Sequence, residues 1–210
     1  MIQKIIFRDQ VKQFLLDKMA NGDIKPGQII SLAELSRNLE VSVTPIREAL
    51  SQLQQIGIVK AVPNRGFQLP SLSLKEAKEI FPIIARLEAW ALQESTFSTK
   101  SLKDIEKAQV SFVKAQHPYE ALIADNYFHE LLIKDCPNEI LKRMIGDLKA
   151  RVIMYELEFM HIESQTRQSS RDHEEIIAYI RNHKIPAAAE KLIHNWQLSL
   201  DFITQHFEHE

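Results

Sequence analysis

Four side chains in the second half of the chain have the types and positions expected of metal ligands. Asp125 and His129 are four residues apart, so a helix places them one turn apart on the same face, within reach of one ion. His173 and His194 each lie in a later amphipathic stretch. One carboxylate and three imidazoles can form the first shell of a divalent metal ion, and these donors suit zinc, nickel, manganese or iron. The four residues are therefore candidate ligands, with zinc as the first metal to consider.

A series of helices is predicted to position these side chains. The segment Ser73-Leu74-Lys75-Glu76 offers a capping box that begins the first helix, and no later segment has the alternation typical of a strand. Prolines at positions 118, 137 and 186 separate the later segments. The helical patterns cover residues 74–95, 101–116, 119–134, 139–160, 165–183 and 187–207. They predict an all-α antiparallel helical bundle.

The N-terminal third has a different pattern, in which a tight polar turn leads into an amphipathic helix. The apolar residues of this helix fall on one face: Ile46, Ala49, Leu50 and Leu53. Arg47 and the hydroxyl groups of Ser42 and Thr44 point away from that face. A helix that enters the major groove of DNA needs one buried stripe, and it needs donors at its amino-terminal end for phosphates and base edges. An ordinary helix with an N-cap followed by Pro45 would look similar.

Two neighbouring patterns complete a winged helix-turn-helix. Residues 31–39 predict the preceding helix, and two short strands are predicted at residues 59–62 and 67–69, joined by a turn that contains Gly66. This hairpin forms a wing whose Arg65 could reach a minor groove or a phosphate. The order of the motifs favours DNA binding over a set of unrelated helices. The predicted DNA-binding residues are Arg37, Ser42, Thr44, Arg47, Arg65 and Gly66.

The uneven distribution of charge along the chain agrees with this interpretation. The 210 residues carry a net charge of −2, but residues 1–72 have nine basic and six acidic side chains, against 17 basic and 22 acidic in the remainder. The basic end suits nucleic acid. No apolar run approaches the ~18 to 20 residues of a membrane span, and the N-terminus does not resemble a signal peptide. A lone cysteine, Cys136, excludes an internal disulfide. We expect a cytoplasmic protein without a membrane partner.

The N-terminal pattern resembles the winged-helix domain of the GntR family of bacterial transcription regulators. Val43 stands where members of this family usually have Arg, and Glu40 stands where they usually have Gly. The first difference removes a predicted contact to DNA, and the second adds a charge that DNA repels. The residues that carry the resemblance are Gly22, Pro26-Gly27, the stretch from Val41 to Leu50, Gly57 and Arg65-Gly66.

The C-terminal pattern resembles the effector-binding domain of the FadR subfamily of these regulators. In that subfamily one Asp and three His hold a metal ion, and a small carboxylate effector often completes its coordination. The resemblance thus implies a metal site at Asp125, His129, His173 and His194. It rests on these four residues together with Arg86-Leu87-Glu88, Phe128, Asn138, Glu174 and the two isoleucines that follow Glu175. The histidines without an assigned role are His117, His161, His183, His206 and His209.

Two arginines are candidates for a second contact to an anionic effector. The resemblance implies that Arg86 points into the cavity, where a guanidinium group would pair with a carboxylate. Arg151 is the other candidate. Each arginine could instead form a salt bridge on the helix surface, with Glu88 or Glu158 as the partner.

The combined prediction is a mostly α transcription regulator with two domains. We expect a winged helix-turn-helix DNA-binding domain at residues 1–70, a linker at 71–73, and an all-α effector-binding and dimerisation domain at 74–210. A homodimer would bind a two-fold symmetric DNA operator as a repressor, and a small organic acid would relieve the repression. Two alternatives stay open. The bundle could be a metal-free dimerisation module, or the metal could serve a hydrolase-like enzyme.

Overall fold

The computed structural model describes residues 2–20, 23–55, 57–116, 118–159 and 163–208. The chain divides into two compact units, Met1–Leu72 and Ser73–Glu210. Over these residues it is mostly helical, with one small antiparallel sheet near the N-terminus, so the predicted fold class is confirmed. Gly22, His117, His161 and His209 lie outside the described residues.

The described part of the first unit combines three helices with a three-stranded sheet. The elements are α1 (Ile2–Ala20), β1 (Ile29–Ile30), α2 (Leu32–Leu39), α3 (Val43–Gln55), β2 (Lys60–Val62) and β3 (Gly66–Gln68). Strand β3 is central and pairs antiparallel with both of the others. The predicted helix-turn-helix and wing are present, and the ends of the two wing strands differ from the prediction by at most one residue. Helix α1 and strand β1 were not predicted.

The apolar face predicted for α3 is buried, and α3 packs against α1 and α2. Its buried residues are Ile46, Ala49, Leu50 and Leu53. Burial of each large aliphatic side chain contributes roughly 1.5–3 kcal/mol. Packing therefore fixes which face of α3 stays available for a partner, and Ser42, Thr44 and Arg47 are all exposed at its amino-terminal end.

The turn between α2 and α3 contains a residue with left-handed backbone geometry. Glu40 has φ 53° and ψ 36° at the end of α2, and its backbone N–H donates to the carbonyl oxygen of Ser36. The hydroxyl group of Ser36 in turn donates to the carbonyl oxygen of Val41 at 2.6 Å. This conformation costs a residue with a side chain roughly 1–2 kcal/mol, whereas glycine adopts it readily. Glu40 thus occupies a position whose geometry favours the glycine of the GntR pattern.

The second unit is a helical bundle, and its described residues form no strand. Its helices are α4 (Leu74–Glu94), α5 (Thr99–Lys114), α6 (Pro118–Ile133), α7 (Glu139–Phe159), α8 (Glu163–Arg181) and α9 (Ile185–Phe207). Helix α4 packs against α7 and α9, while α8 packs against α5 and α9. All six predicted helices are present, with ends shifted by at most two residues. No helix in the described part of the chain combines the length and apolar character needed to cross a membrane.

The start of α4 is fixed by side chains of α7. Ser73 is the N-cap of α4 and accepts a hydrogen bond from the backbone N–H of Glu76 at 3.1 Å. In a full capping box the Glu76 carboxylate would accept a hydrogen bond from the backbone N–H of Ser73. This carboxylate instead accepts two hydrogen bonds from Arg151, at 2.8 and 2.5 Å, and one from Tyr155. The backbone N–H of Ser73 donates to the Tyr155 hydroxyl at 3.2 Å instead.

Candidate metal centre and DNA-binding surface

Three of the four predicted metal ligands converge inside the second unit. Asp125 and His129 come from α6 and His173 comes from α8, and all three side chains are buried. The Nε2 atom of His173 lies 3.4 Å from Asp125 Oδ1, and the Nε2 atom of His129 lies 3.8 Å from Asp125 Oδ2. Nitrogen and oxygen ligands lie about 2.0–2.2 Å from a bound zinc ion. Donor atoms at these separations therefore have nearly the spacing that a shared ion would impose.

Glu88 of α4 fixes the orientation of His129. Its Oε2 atom accepts a hydrogen bond from His129 Nδ1 at 2.7 Å and another from Trp196 Nε1 at 2.8 Å. Burial acts to raise the pKa of Glu88, but the charges of Lys149 and His129 and these hydrogen bonds lower it to about 2. An ionised Glu88 keeps a proton on Nδ1 of His129. In the neutral ring, Nε2 then directs its lone pair toward Asp125, as a metal ligand does.

Gln109 of α5 has the same role for His173. The Gln109 amide nitrogen donates to the carbonyl oxygen of Ser170 at 3.1 Å, which leaves the amide oxygen facing His173 Nδ1 at 2.8 Å. An amide oxygen can only accept, so Nδ1 carries the proton and Nε2 does not. Burial, followed by the charges of His129 and Lys149, lowers the pKa of His173 well below its usual value. His173 is a neutral imidazole whose buried Nε2 has no hydrogen-bond partner.

The third member of the cluster, Asp125, is also affected by its buried position. Burial raises the pKa of Asp125, and the nearby Glu88 carboxylate adds to this, while His129 and Lys149 oppose it. A cation between Asp125 and the two imidazoles would stabilise the ionised carboxylate. The donor set therefore fits a divalent metal ion in both geometry and charge.

The structure does not bring His194 to this cluster. Its Nδ1 atom lies 2.9 Å from Asp172 Oδ2, and 52% of its side chain is exposed. The buried face of this part of α9 is formed by Leu192, Asn195 and Trp196. His194 lies at the edge of that face, so its side chain does not point into the bundle. Three protein ligands would leave one open position in a tetrahedral shell and about three in an octahedral shell.

Neither arginine predicted to contact an effector joins the cluster. Arg86 is exposed on α4 and donates to the carbonyl oxygen of Pro82 at 2.9 Å. Arg151 is buried, but its guanidinium group is paired with Glu76. The sequence indicated Glu88 only as part of the family resemblance and as a surface partner for Arg86, and it gave no role to Gln109. Glu88 is instead buried against His129, and each residue meets its histidine only in the folded chain, across 41 and 64 residues respectively.

The predicted DNA-binding residues lie on the surface of the first unit. Arg47 of α3 and Arg65 of the wing line one groove with a volume of about 560 Å³. The wing turn places Arg65 between Asn64 at φ 61° and Gly66 at φ 94°, both left-handed. Two guanidinium groups at one concave surface suit the phosphate backbone of a nucleic acid. The other candidate residues are exposed on α2 or beside and within the first turn of α3: Arg37, Ser42 and Thr44.

Both units are similar to known protein families. Residues 7–69 match the family described as "Bacterial regulatory proteins, gntR family", and residues 79–197 match the FCD domain. The chain is 28% identical over 194 residues to the uncharacterized HTH-type transcriptional regulator YdhC of Bacillus subtilis (strain 168), covering 80% of this chain and 84% of that protein. It is 29% identical over 148 residues to the HTH-type transcriptional regulator McbR of Escherichia coli (strain K12), covering 68% and 67%. The solved structure of E. coli McbR/YncC has a TM-score of 0.85 at 21% identity, over 96% of this chain and 98% of that chain, which shows a shared fold.

A winged helix-turn-helix followed by an all-helical FCD domain defines a DNA-binding transcription regulator and not an enzyme. The chain belongs to the GntR family of bacterial transcription regulators, and its FCD domain agrees with the predicted FadR subfamily. The first unit therefore binds operator DNA.

Proposed function

We propose that this regulator is a homodimeric repressor that senses a small organic acid at a divalent metal ion bound by Asp125, His129 and His173. The main support for the metal site is the common orientation of the imidazole rings of His129 and His173. Each is held through Nδ1 by a buried acceptor and presents Nε2 to the same carboxylate. Zinc is the first candidate, and nickel, manganese or iron would also suit nitrogen and oxygen donors.

The open coordination positions support an anionic effector. A metal ion with three protein ligands retains positions for water, and a carboxylate can replace that water while neutralising the ion. Repression is supported by relatives named as repressors, among them the Gluconate operon transcriptional repressor of Bacillus licheniformis and the Probable D-xylose utilization operon transcriptional repressor of Paenarthrobacter nicotinovorans.

The proposed response to the effector depends on the spacing of two recognition helices. A symmetric dimer presents one copy of α3 to each half-site, and the half-sites lie about 34 Å apart, one turn of DNA. Effector binding in the bundle would change this spacing, so that both helices no longer fit the operator together. A coupling of ~1–3 kcal/mol between the two sites would change operator occupancy roughly 5- to 150-fold.

Elemental analysis after reconstitution with Zn²⁺ tests the metal site. We expect near-stoichiometric zinc in the wild-type protein and its loss in His129→Ala and His173→Ala. His183→Asn is the matched control, since His183 is exposed in a left-handed turn that asparagine tolerates. Zinc retained by both ligand variants would overturn the proposal. In a separate arm, zinc retained by His194→Ala would support three ligands, whereas its loss would make His194 the fourth.

A thermal-shift screen of organic acids then tests sensing. We expect at least one acid to raise the melting temperature of the zinc-loaded protein, and a chelator to abolish the increase. The same acid should release the protein from operator DNA. An acid-induced stabilisation that survives complete removal of the metal would contradict a metal-anchored effector.

A further inference from the structure

Lys149 of α7 carries a buried positive charge beside the histidine cluster. The residue is 6% exposed, and its Nζ atom lies 3.3 Å from Glu88 Oε1 and 3.4 Å from the carbonyl oxygen of Asn126. The ring of Trp196 lies 5.7 Å from the same atom. Charge-assisted hydrogen bonds of an ammonium group are usually about 2.7–2.9 Å long, and the group has three protons to donate. Lys149 therefore has the capacity for a shorter bond to a ligand.

Several buried polar atoms of the same unit also have unused hydrogen-bonding capacity. Folded proteins leave few such atoms without a partner unless water or a ligand supplies one. Within the described residues, the atoms without a hydrogen-bond partner are Glu88 Oε1, Glu156 Oε2, His173 Nε2 and Asn195 Nδ2, although Glu88 Oε1 keeps its ion pair with Lys149. Two of the four belong to the cluster itself or contact it, because His173 is one of its members and Glu88 binds His129.

Two of these atoms, Glu88 Oε1 and Glu156 Oε2, belong to carboxyl groups that interact with the charge of Lys149. Glu88 Oε1 is the carboxylate oxygen nearest its ammonium group, and Glu156 lies two helical turns further along the same face of α7. Burial and the charge of Asp125 raise the pKa of Glu156, while Lys149 lowers it. The ammonium group, Glu156 and Asp125 therefore share one electrostatic environment.

We propose that Lys149 binds the carboxylate of the effector while Glu156 hydrogen-bonds to a hydroxyl group of the same molecule, so that the site selects a small hydroxycarboxylate. This inference rests on the proposed function and names the class of acid that is sensed. An acid with a hydroxyl group supplies the partner that Glu156 Oε2 lacks. An acid without one leaves that buried atom unpaired, and the resulting loss of affinity is about tenfold or more.

The two arginines are less suitable for this contact than Lys149. Arg86 is exposed and directed to its own helix, where it donates to the carbonyl oxygen of Pro82. Arg151 is neutralised by Glu76 through two short hydrogen bonds. Glu88, in contrast, is shared by Lys149, His129 and Trp196, so it does not saturate the ammonium group.

The test uses the full-length zinc-loaded protein and three pairs of acids that differ in hydroxylation: propionate and lactate, succinate and malate, and hexanoate and gluconate. Isothermal titration calorimetry measures each affinity. We expect at least one hydroxy acid to bind at least tenfold more tightly than its unsubstituted partner. Lys149→Met should weaken that binding at least tenfold, and Glu156→Leu should remove the preference for the hydroxyl group. Lys142→Met, a partly exposed lysine on the same helix, should change neither.

Circular dichroism and zinc content separate the possible outcomes. If Lys149→Met does not fold, Lys149→Gln replaces it, because glutamine keeps a donor for Asn126 and removes the charge. A wild-type protein that fails to hold zinc would overturn the metal-sensing proposal together with this inference. Zinc binding without any preference for a hydroxy acid, or wild-type affinity in a folded Lys149 variant, would overturn this inference alone.

Discussion

The imidazole of His129 and the carboxylate of Glu88 share a hydrogen bond of 2.7 Å between two buried side chains from different helices. A carboxylate in this position orients a metal-binding histidine and increases its basicity, and its loss typically lowers metal affinity about 10- to 100-fold. We expect Glu88→Gln to lower the Zn²⁺ affinity by this amount, as measured by competition with a chromogenic chelator.

Glu79→Gln is the matched control for this variant, because Glu79 is an exposed carboxylate on the same helix. Circular dichroism should show the same helical content in both variants. If Glu88→Gln folds normally and binds zinc as tightly as the wild-type protein, Glu88 does not orient a metal ligand.

The groove between Arg47 and Arg65 predicts how operator binding depends on salt. Each phosphate contact adds about one unit to the slope of log affinity against log salt concentration, because it releases a counterion from DNA. We expect Arg47→Ala and Arg65→Ala each to weaken operator binding. For an arginine that contacts a phosphate, the substitution should also lower this slope by about one unit. Fluorescence anisotropy at several salt concentrations provides the measurement. Arg143→Ala, an exposed arginine of the bundle, should leave the slope unchanged.

The left-handed backbone of Glu40 predicts a variant that improves both stability and DNA binding. Glu40→Gly relieves the strain of a side chain at φ 53° and should raise the free energy of unfolding by up to ~1 kcal/mol, measured by urea denaturation. It also removes a negative charge near the recognition helix, so operator affinity should rise. Glu40→Ala separates the two effects, since it removes the charge and keeps the strain. Equal stability of the two variants would show that backbone strain is not the cause.

The Glu76–Arg151 pair predicts that part of the stability is lost in acid. Partial burial acts to raise the pKa of Glu76, but the hydrogen bonds from Arg151 and Tyr155 outweigh it and hold the pKa below its ordinary value. The folded chain therefore binds this proton less readily than the unfolded chain. The contribution is fully present above the unfolded pKa and is lost as pH falls through the lowered folded pKa.

The variant Glu76→Gln makes this effect measurable. We expect the difference in free energy of unfolding between wild type and Glu76→Gln to decrease as the pH is lowered from about 5 toward 3, in urea titrations at each pH. A difference that stays constant over this range would mean that the ion pair does not perturb Glu76.

The sequence was sufficient to predict the bundle because strand-like alternation is absent after Ser73, several helices have a clear apolar face, and prolines at positions 118, 137 and 186 mark three of the boundaries. The same reasoning missed α1. Its buried residues Val11, Leu15 and Met19 have helical spacing, but additional apolar residues such as Ile5-Ile6-Phe7 obscure the periodicity. It also missed β1, since two residues cannot show alternation and Ile29 and Ile30 become a strand only by pairing with β3.

Prediction of the site was limited by contacts between distant parts of the chain. The four-residue spacing of Asp125 and His129 identified one face of α6, and the family resemblance added His173. Spacing could not reveal that Gln109 would hold His173, because the two residues meet only when α5 packs against α8. The same resemblance added His194, and the sequence could not show that this residue lies away from the inward face of α9.

Tyr155 joins helix α7 to the first residue of the bundle. Its hydroxyl group contacts the backbone of Ser73 and the side chain of Glu76, and its sequence neighbour Glu156 is proposed to contact the effector. Lys149 lies on the same α7, six residues away, or about 9 Å along the helix axis. A shift of α7 caused by ligand binding would thus displace Ser73, where the chain emerges from the DNA-binding unit. A rigid-body movement of the single helix α7 would then be enough to transmit the signal, because α7 carries both the proposed effector contacts and Tyr155, which contacts Ser73.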